Sequence, residues 1–309
     1  MTEHVSVFKK QAVDGLNIRD NAIIFDGTLG AAGHALEILQ RAKNIKLVAC
    51  DLDTDAIEIA KKTLKGYEKQ VTIVNDNFKN FDRILDSLNI DKTDGFLLDL
   101  GISSMQIDPE KNRGFSYMAQ DDIIDMRMDK RQELSAKTIL NTYSEQELRR
   151  IIKEYGDEDY AAKIAWNIVR AREKKEIRTV RELVEIIDKC VPQRFASGHR
   201  AKKTFAALRK ATNSELIDLD TAVIGMVRRL NARGRISVIT FDSGEDRLIK
   251  QAYRALEADC ICDKKLPVCI CGKKKEINIL TPKPMLPSEE EIKNNPRSAS
   301  AKLRVAEKI

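Results

Sequence analysis

Apolar positions along this chain follow two rhythms, and the rhythms divide it into three parts. In the first part, short apolar runs alternate with stripes at helical spacing. Residues 22–25, 46–50, 71–75 and 95–98 are four such segments, apolar apart from Lys46, Thr72 and Asn75. Each has strand length and ends in polar or small residues, the pattern of strands buried on both faces of a parallel sheet. Between the second and third runs, Ile57, Ala60 and Leu64 share one helical face. From about Met105 to Lys210 the rhythm is helical throughout. Ser144 with Glu147, and Thr179 with Glu182, read as capping boxes that start helices. Between them Ala161, Ile164, Ala165, Ile168 and Val169 repeat at helical spacing. The third part returns to alternation. It predicts a helix over 213–230, a strand over 234–241, a helix over 248–256 and a last strand over 276–280. The tail, with Pro282, Pro284, Pro287 and Pro296, is expected to run extended over the surface. Residues 1–20 are expected to lay Phe8, Val13 and Leu16 on the first strand. The pattern predicts an α/β, Rossmann-like domain from residues 1–104 and 212–309, with an all-helical domain, 105–211, inserted after the fourth strand.

The strand ends carry the candidate chemistry. The first run breaks into Asp26-Gly27-Thr28-Leu29-Gly30-Ala31-Ala32-Gly33, then a helical run. Glycine lets the backbone turn sharply and approach a ligand. The second run ends in Asp51-Leu52-Asp53, the spacing at which an acid bonds a ribose diol. The third ends in Asp76-Asn77-Phe78 and the fourth in Asp99-Leu100-Gly101-Ile102-Ser103-Ser104. Ligands of open α/β sheets sit at these carboxyl ends, so acids recurring at four of them predict a cofactor site.

Charge and composition narrow the classes. The 309 residues carry a net charge of +6, which permits a polyanionic partner without requiring one. No apolar run approaches the ~20 residues that span a bilayer, and the first residues lack an apolar signal region. The expectation is a cytoplasmic protein with no membrane partner, with monomer and homodimer both open. Positive charge concentrates between Lys189 and Lys210, where seven Lys or Arg residues occur without an acid. Such a block suggests phosphate contacts, and Phe195 and Phe205 within it either stack on bases or pack. Arg297, Lys302 and Arg304 in the tail either touch phosphate or pack locally. Of six cysteines, Cys50 and Cys190 read as buried small residues. Cys260, Cys262, Cys269 and Cys271 form two C-x-C pairs. A structural zinc is one reading, but zinc sites usually space cysteines two to four residues apart. A β-hairpin with all four on one face is the favoured reading.

Nine segments occur in an order that resembles a known family: HVSVFKKQAVDGLNI, FDGTLGAAGH, LLDLGISSMQID, RGFSYM, DMRMD, TFAALR, NSEL, SGEDR and NPRSASAKLRVAE. Together they resemble the bacterial small-subunit (16S) ribosomal RNA cytosine-N4 methyltransferases, called RsmH or MraW, over nearly the whole chain. The resemblance implies a class I S-adenosylmethionine-dependent fold. It implies that Ala32, Gly33 and His34 line the methionine end of the cofactor, Asp51 holds the ribose, Phe78 flanks the adenine, and Asp99 and Gln106 complete the pocket. Asp99, with Ser103 as a second candidate, would serve catalysis. Arg113, Arg127, Arg194, Arg200, Lys202 and Lys203 would contact the RNA, as naked small-subunit RNA or as the 30S particle. His4 sits where the family carries a histidine. The chain departs from the family at Ala31, Ala32, Ala35, Met105, Lys203, Ala206, Asp242, Gly244 and Ala299. Asp242 stands where the family has histidine, so it alters the charge expected to face RNA. A shifted target, or a non-catalytic ribosomal RNA-binding or assembly factor, is the alternative.

Overall fold

A computed structural model describes residues 6–103, 106, 113–193, 198–263 and 268–309. His4, Ser104, Met105, Arg194, Phe195 and Pro267 lie outside them. Two compact units form, Met1–Gly101 with Asp218–Ile309, and Ile102–Ile217.

The first unit is built on a seven-stranded sheet. Its elements run α1 (Lys9–Leu16), β1 (Ile23–Asp26), α2 (Gly33–Arg41), β2 (Lys46–Cys50), α3 (Thr54–Thr63), β3 (Val71–Val74), α4 (Phe81–Ser87) and β4 (Thr93–Asp99). With β5 (Leu230–Thr240), β6 (Ile277–Ile279) and β7 (Lys302–Lys308), the strand order is β3-β2-β1-β4-β5-β7-β6. The first four strands and β5 pair in parallel. Because side chains alternate, each strand feeds two cores. Phe25, Val48, Phe96 and Leu98 face one side, under α4, α10 (Leu219–Arg228) and α11 (Ser243–Glu257). Ile24, Leu47, Ala49 and Leu97 face the other, under α1, α2 and α3. Phe8, Val13 and Leu16 do belong to that second core.

Three expectations change here. The proline-bearing stretch 281–288 is irregular and largely exposed as expected, but the end of the tail is not a surface strap. Lys302–Lys308 forms β7, antiparallel between β5 and the edge strand β6 (Ile277–Ile279). Only α12 (Glu289–Asn294) and a short 3-10 turn interrupt the chain between β6 and β7. Lys302 and Arg304 are therefore not offered to phosphate: Arg304 is buried and bonds Asp246 at 2.7 and 3.2 Å, with Lys302 at 3.4 Å from the same acid. The helix expected over 213–230 begins only at Leu219, because Ser214 and Asp218 take left-handed backbone at φ 51° and 55°. The expected β-hairpin of the cysteine segment is absent among the described residues, which form no strand between α11 and β6.

The second unit is helical: α5 (Ala136–Thr142), α6 (Glu145–Gly156), α7 (Ala161–Lys174), α8 (Val180–Cys190) and α9 (Lys202–Thr212). Both capping boxes form as the sequence predicts, at Ser144–Glu147 and Thr179–Glu182. Gly156 admits α9, since a Cβ there would meet the Lys203 carbonyl oxygen at 2.6 Å. Leu148, Ile152, Ile164, Ile168, Leu183 and Ile187 form the shared core. Among the described residues no helix is long and apolar enough to cross a membrane.

Candidate active site

β1 lies between β2 and β4, so its carboxyl end is where the sheet order reverses. The loop after β1 is held there by local bonds. The Thr28 hydroxyl oxygen accepts from the Asp99 amide at 2.6 Å, which ties the β1 turn to the end of β4. Gly27 is required by space: a Cβ would lie 2.4 Å from Leu98 Cδ2 and 2.8 Å from Phe78 Cβ. Gly30 turns at φ 51°, and Ala32, at φ 68°, takes the left-handed conformation just before α2. Gly33 meets Ser6, whose Oγ would be 2.1 Å from an added Cβ. His34 follows in the first turn of α2. Its Nε2 lies 3.0 Å from the Val7 carbonyl oxygen, and its Nδ1 lies 3.7 Å from Asp99 Oδ2.

Three acids converge on this turn. Asp26 is fully buried; Oδ1 accepts from the Thr28 amide at 3.1 Å, while Oδ2 is enclosed with no hydrogen-bond partner. Burial pushes its carboxyl up to about 7, the Thr28 bond opposing and Asp51 adding to the rise. Asp99 has one enclosed, unpartnered oxygen, Oδ1, yet its side chain keeps 24% exposure. Burial, with Asp26 and Glu245 as like charges nearby, pushes it up to about 8. Glu245, itself buried, accepts from the Phe241 and Asp242 amides at 3.1 and 3.2 Å. Sequence reasoning missed Glu245, although Asp242-Ser-Gly-Glu245 carries the capping-box spacing. Asp242 is the N-cap of α11, accepting from the Gly244 amide at 2.7 Å. The substituted position thus carries a helix-starting task.

Asp51 ends β2 as expected, but both its oxygens already serve the loops. Oδ2 accepts from the Gly30 amide and Oδ1 from the Asp53 amide, each at 2.8 Å. Burial raises its carboxyl above the ordinary range against those bonds. Asn75, from the end of β3, donates to the Asp51 and Leu52 carbonyls at 2.9 and 3.1 Å and holds the same loop. Phe78 starts a 3-10 turn beside Gly27. The turn, His34, Asp51, Phe78 and Asp99 therefore share the strand ends of one unit.

Asp99, which keeps an exposed face and has the buried Asp26 behind it, suits a cationic, donor-bearing ligand. S-adenosylmethionine carries an ammonium and a sulfonium, so the acids present fit it. A dinucleotide, with its anionic pyrophosphate, would be repelled by them.

The other expected residues belong to the helical unit. Ser103 and Gln106 bond each other: the Ser103 amide donates to Gln106 Oε1 at 3.1 Å, and the Gln106 amide to Ser103 Oγ at 3.4 Å. Four of the expected RNA contacts are engaged locally. Arg113 is buried over Phe115 and donates to the Arg127 and Met128 carbonyls. Arg127 grips Asp125 with two bonds of 2.8 Å. Arg200 pairs with Asp188 at 2.8 Å. Lys203 donates to the Asp157 carbonyl at 2.8 Å. In the RNA-free structure these basic residues bond carbonyls and acids of their own unit. Within the same block Arg209 pairs with Glu215, and Lys210 is buried on the Tyr155 carbonyl. Phe205 packs in the core. Lys189 and Lys202 remain exposed.

Sequence comparisons give a consistent picture. The whole chain, residues 1–309, matches the family described as the MraW methylase family. It is 48% identical over 309 residues to a ribosomal RNA small subunit methyltransferase H of Clostridium botulinum (strain Kyoto / Type A2), covering 99% of both chains. It is 47% identical over 310 residues to the same-named protein of Finegoldia magna, again covering 99% of both. Agathobacter rectalis has a protein named ribosomal RNA small subunit methyltransferase H 2, 47% identical over 309 residues, with 99% of this chain and 98% of that one covered.

Proposed function

This chain belongs to the MraW methylase family, and from that premise we propose that it methylates the exocyclic N4 amine of a cytidine in small-subunit ribosomal RNA. The observation that carries the reading is the pair of enclosed, unpartnered carboxyl oxygens on Asp26 and Asp99 where the sheet order reverses. Bound S-adenosylmethionine would supply an electrophilic methyl group. Gly27, Gly30, Ala32 and Gly33 shape the turn that admits it, and Phe78 offers an apolar wall. A cationic ligand would draw the proton from Asp99 and be held by the carboxylate that remains, with Asp26 buried behind it.

The target amine is a weak nucleophile, because its lone pair is delocalised into the ring. Asp99 is the group in this set that keeps an exposed face. As a carboxylate it accepts an N–H of the amine, which localises the lone pair. Once its own proton has been expelled by binding of the cationic cofactor, the Asp99 carboxylate can also take up the proton shed as the methylamine forms, and it gives that proton back to solvent when the next cofactor binds. His34 Nδ1, 3.7 Å from Asp99, orients that carboxyl. Orientation supplies the rest of the rate. Lys189 and Lys202 are the exposed charges of the basic block and support the approach of phosphate.

The test uses small-subunit particles that lack the modification, labelled cofactor and mass mapping of the product. Label on the N4 of a single cytidine is expected. Bound cofactor with no labelled cytidine would reject the enzyme and favour a non-catalytic RNA-binding factor.

A further inference from the structure

The excursion from α11 to β6 has its ends pinned together. The Glu276 amide donates to the Leu256 carbonyl at 2.9 Å, and from 258 to 276 no described residue is helix or strand. Nor does the excursion make a core of its own: Ile261, Val268 and Ile270 are 70%, 70% and 78% exposed. A segment of this size without a core needs a staple. Its four cysteines supply one. The ligand atoms of Cys260, Cys262, Cys269 and Cys271 all lie within 4.8 Å of one another.

We propose that Cys260, Cys262, Cys269 and Cys271 hold one zinc ion as a tetrathiolate site. The spacing of the sulfurs selects this over disulfides. Cys260–Cys269 and Cys269–Cys271 are 3.5 Å apart, and Cys262–Cys269 and Cys260–Cys271 are 3.9 Å apart. A disulfide would bring one pair to about 2.05 Å. A tetrahedron with metal–sulfur bonds of about 2.3 Å has edges of about 3.8 Å. Tetrahedral sulfur is the coordination zinc takes in structural sites.

The backbone is arranged for thiolates as well. The two C-I-C pairs are reciprocal: the Ile261 amide donates to Cys271 Sγ at 3.5 Å, and the Ile270 amide to Cys262 Sγ at 3.4 Å. The Cys262 amide donates to Cys260 Sγ at 3.4 Å. Gly272, at φ 62°, turns the chain after the last sulfur. Amide donors favour the charged sulfur over the thiol. Four thiolates and one zinc leave a net negative site, and Lys273, Lys274 and Lys275 follow the last cysteine closely in sequence. A pair spaced C-x-C is shorter than the usual zinc motif, and the reciprocal amide bonds are what let it close. The role is structural: the ion fixes the excursion that delivers the chain to the edge strand β6.

The test uses the full chain, purified under reducing conditions on a tag that binds no metal and without chelator. Elemental analysis should find about one zinc per chain. Cys262→Ser with Cys271→Ser should abolish it while cofactor affinity is unchanged. Cobalt exchange should give the visible and thiolate charge-transfer bands of a tetrahedral sulfur site. In the unmutated protein, chelation should remove hydrogen-exchange protection at the Ile261, Cys262 and Ile270 amides and leave the sheet protected. That measurement keeps the proposal open to refutation if the variant misfolds. Wild-type protein with no zinc that takes up none from solution, two disulfides in the intact mass, or iron in the site would each overturn it.

Discussion

Replacing Asp99 by asparagine should remove a pH dependence from cofactor binding. In the unliganded protein the Asp99 carboxyl is pushed up to about 8, burial leading and Asp26 and Glu245 adding like charge. A cationic cofactor favours the carboxylate, so binding must expel the proton. Below about pH 8 the free protein holds that proton, and apparent affinity falls as pH falls. For a group near 8 the ratio of apparent affinities between about pH 8 and pH 6 is about 50-fold, or about 2.3 kcal/mol. At about pH 7, binding should release about 0.9 proton from this group. Calorimetry in buffers of different ionisation enthalpy measures both quantities. The amino group of the cofactor also titrates near about 8 with the opposite sign, but it does so equally in wild type and Asp99→Asn. The difference between their profiles therefore isolates Asp99. Equal pH slopes in the two proteins would refute the reasoning.

Asp26→Asn tests the buried neighbour. Its carboxyl is raised to about 7 in the fold, so the folded state binds the proton more tightly than the unfolded chain. Stability should fall as pH rises from about 4 to 7, by at most about 4 kcal/mol, and urea titrations of Asp26→Asn should show that slope lost. Gly27→Ala puts a methyl against Leu98 and Phe78; about 1–3 kcal/mol of stability should go, with weaker cofactor binding, and an unchanged urea midpoint would argue against the close approach. Asp242→Ala should cost about 1 kcal/mol through loss of the α11 cap, while the salt dependence of RNA binding stays as in wild type. Arg113→Ala should destabilise by about 1–3 kcal/mol, because the carbonyls of Arg127 and Met128 lose their buried donor. Lys202→Glu should instead leave stability unchanged and lower the salt slope of RNA binding by about one; a reversal of these two behaviours would restore Arg113 as an RNA contact.

What the chain determined unaided is what repeats along it. Apolar runs of strand length, each closed by an acid or a glycine, are enough to predict parallel strands β1 to β4 and the ligand end of the sheet, because burial on both faces leaves few polar positions inside a strand. Capping boxes at Ser144 and Thr179 are legible because cap and partner lie three residues apart. Tertiary structure alone decided everything that depends on residues far apart. Residues 302–308 carry a buried arginine, which hides a central strand from any reading of hydropathy; it is a strand because Asp246, 58 residues earlier, neutralises Arg304. A count of basic residues between Lys189 and Lys210 cannot tell a charge facing solvent from one spent on Asp188 or the Tyr155 carbonyl. The unpartnered oxygens of Asp26 and Asp99 are visible only once β1 and β4 lie side by side. Four cysteines in two short pairs read as one face of a hairpin until the backbone folds the pairs against each other. Local periodicity encodes which elements form; charge and thiol chemistry depend on who the distant neighbour is.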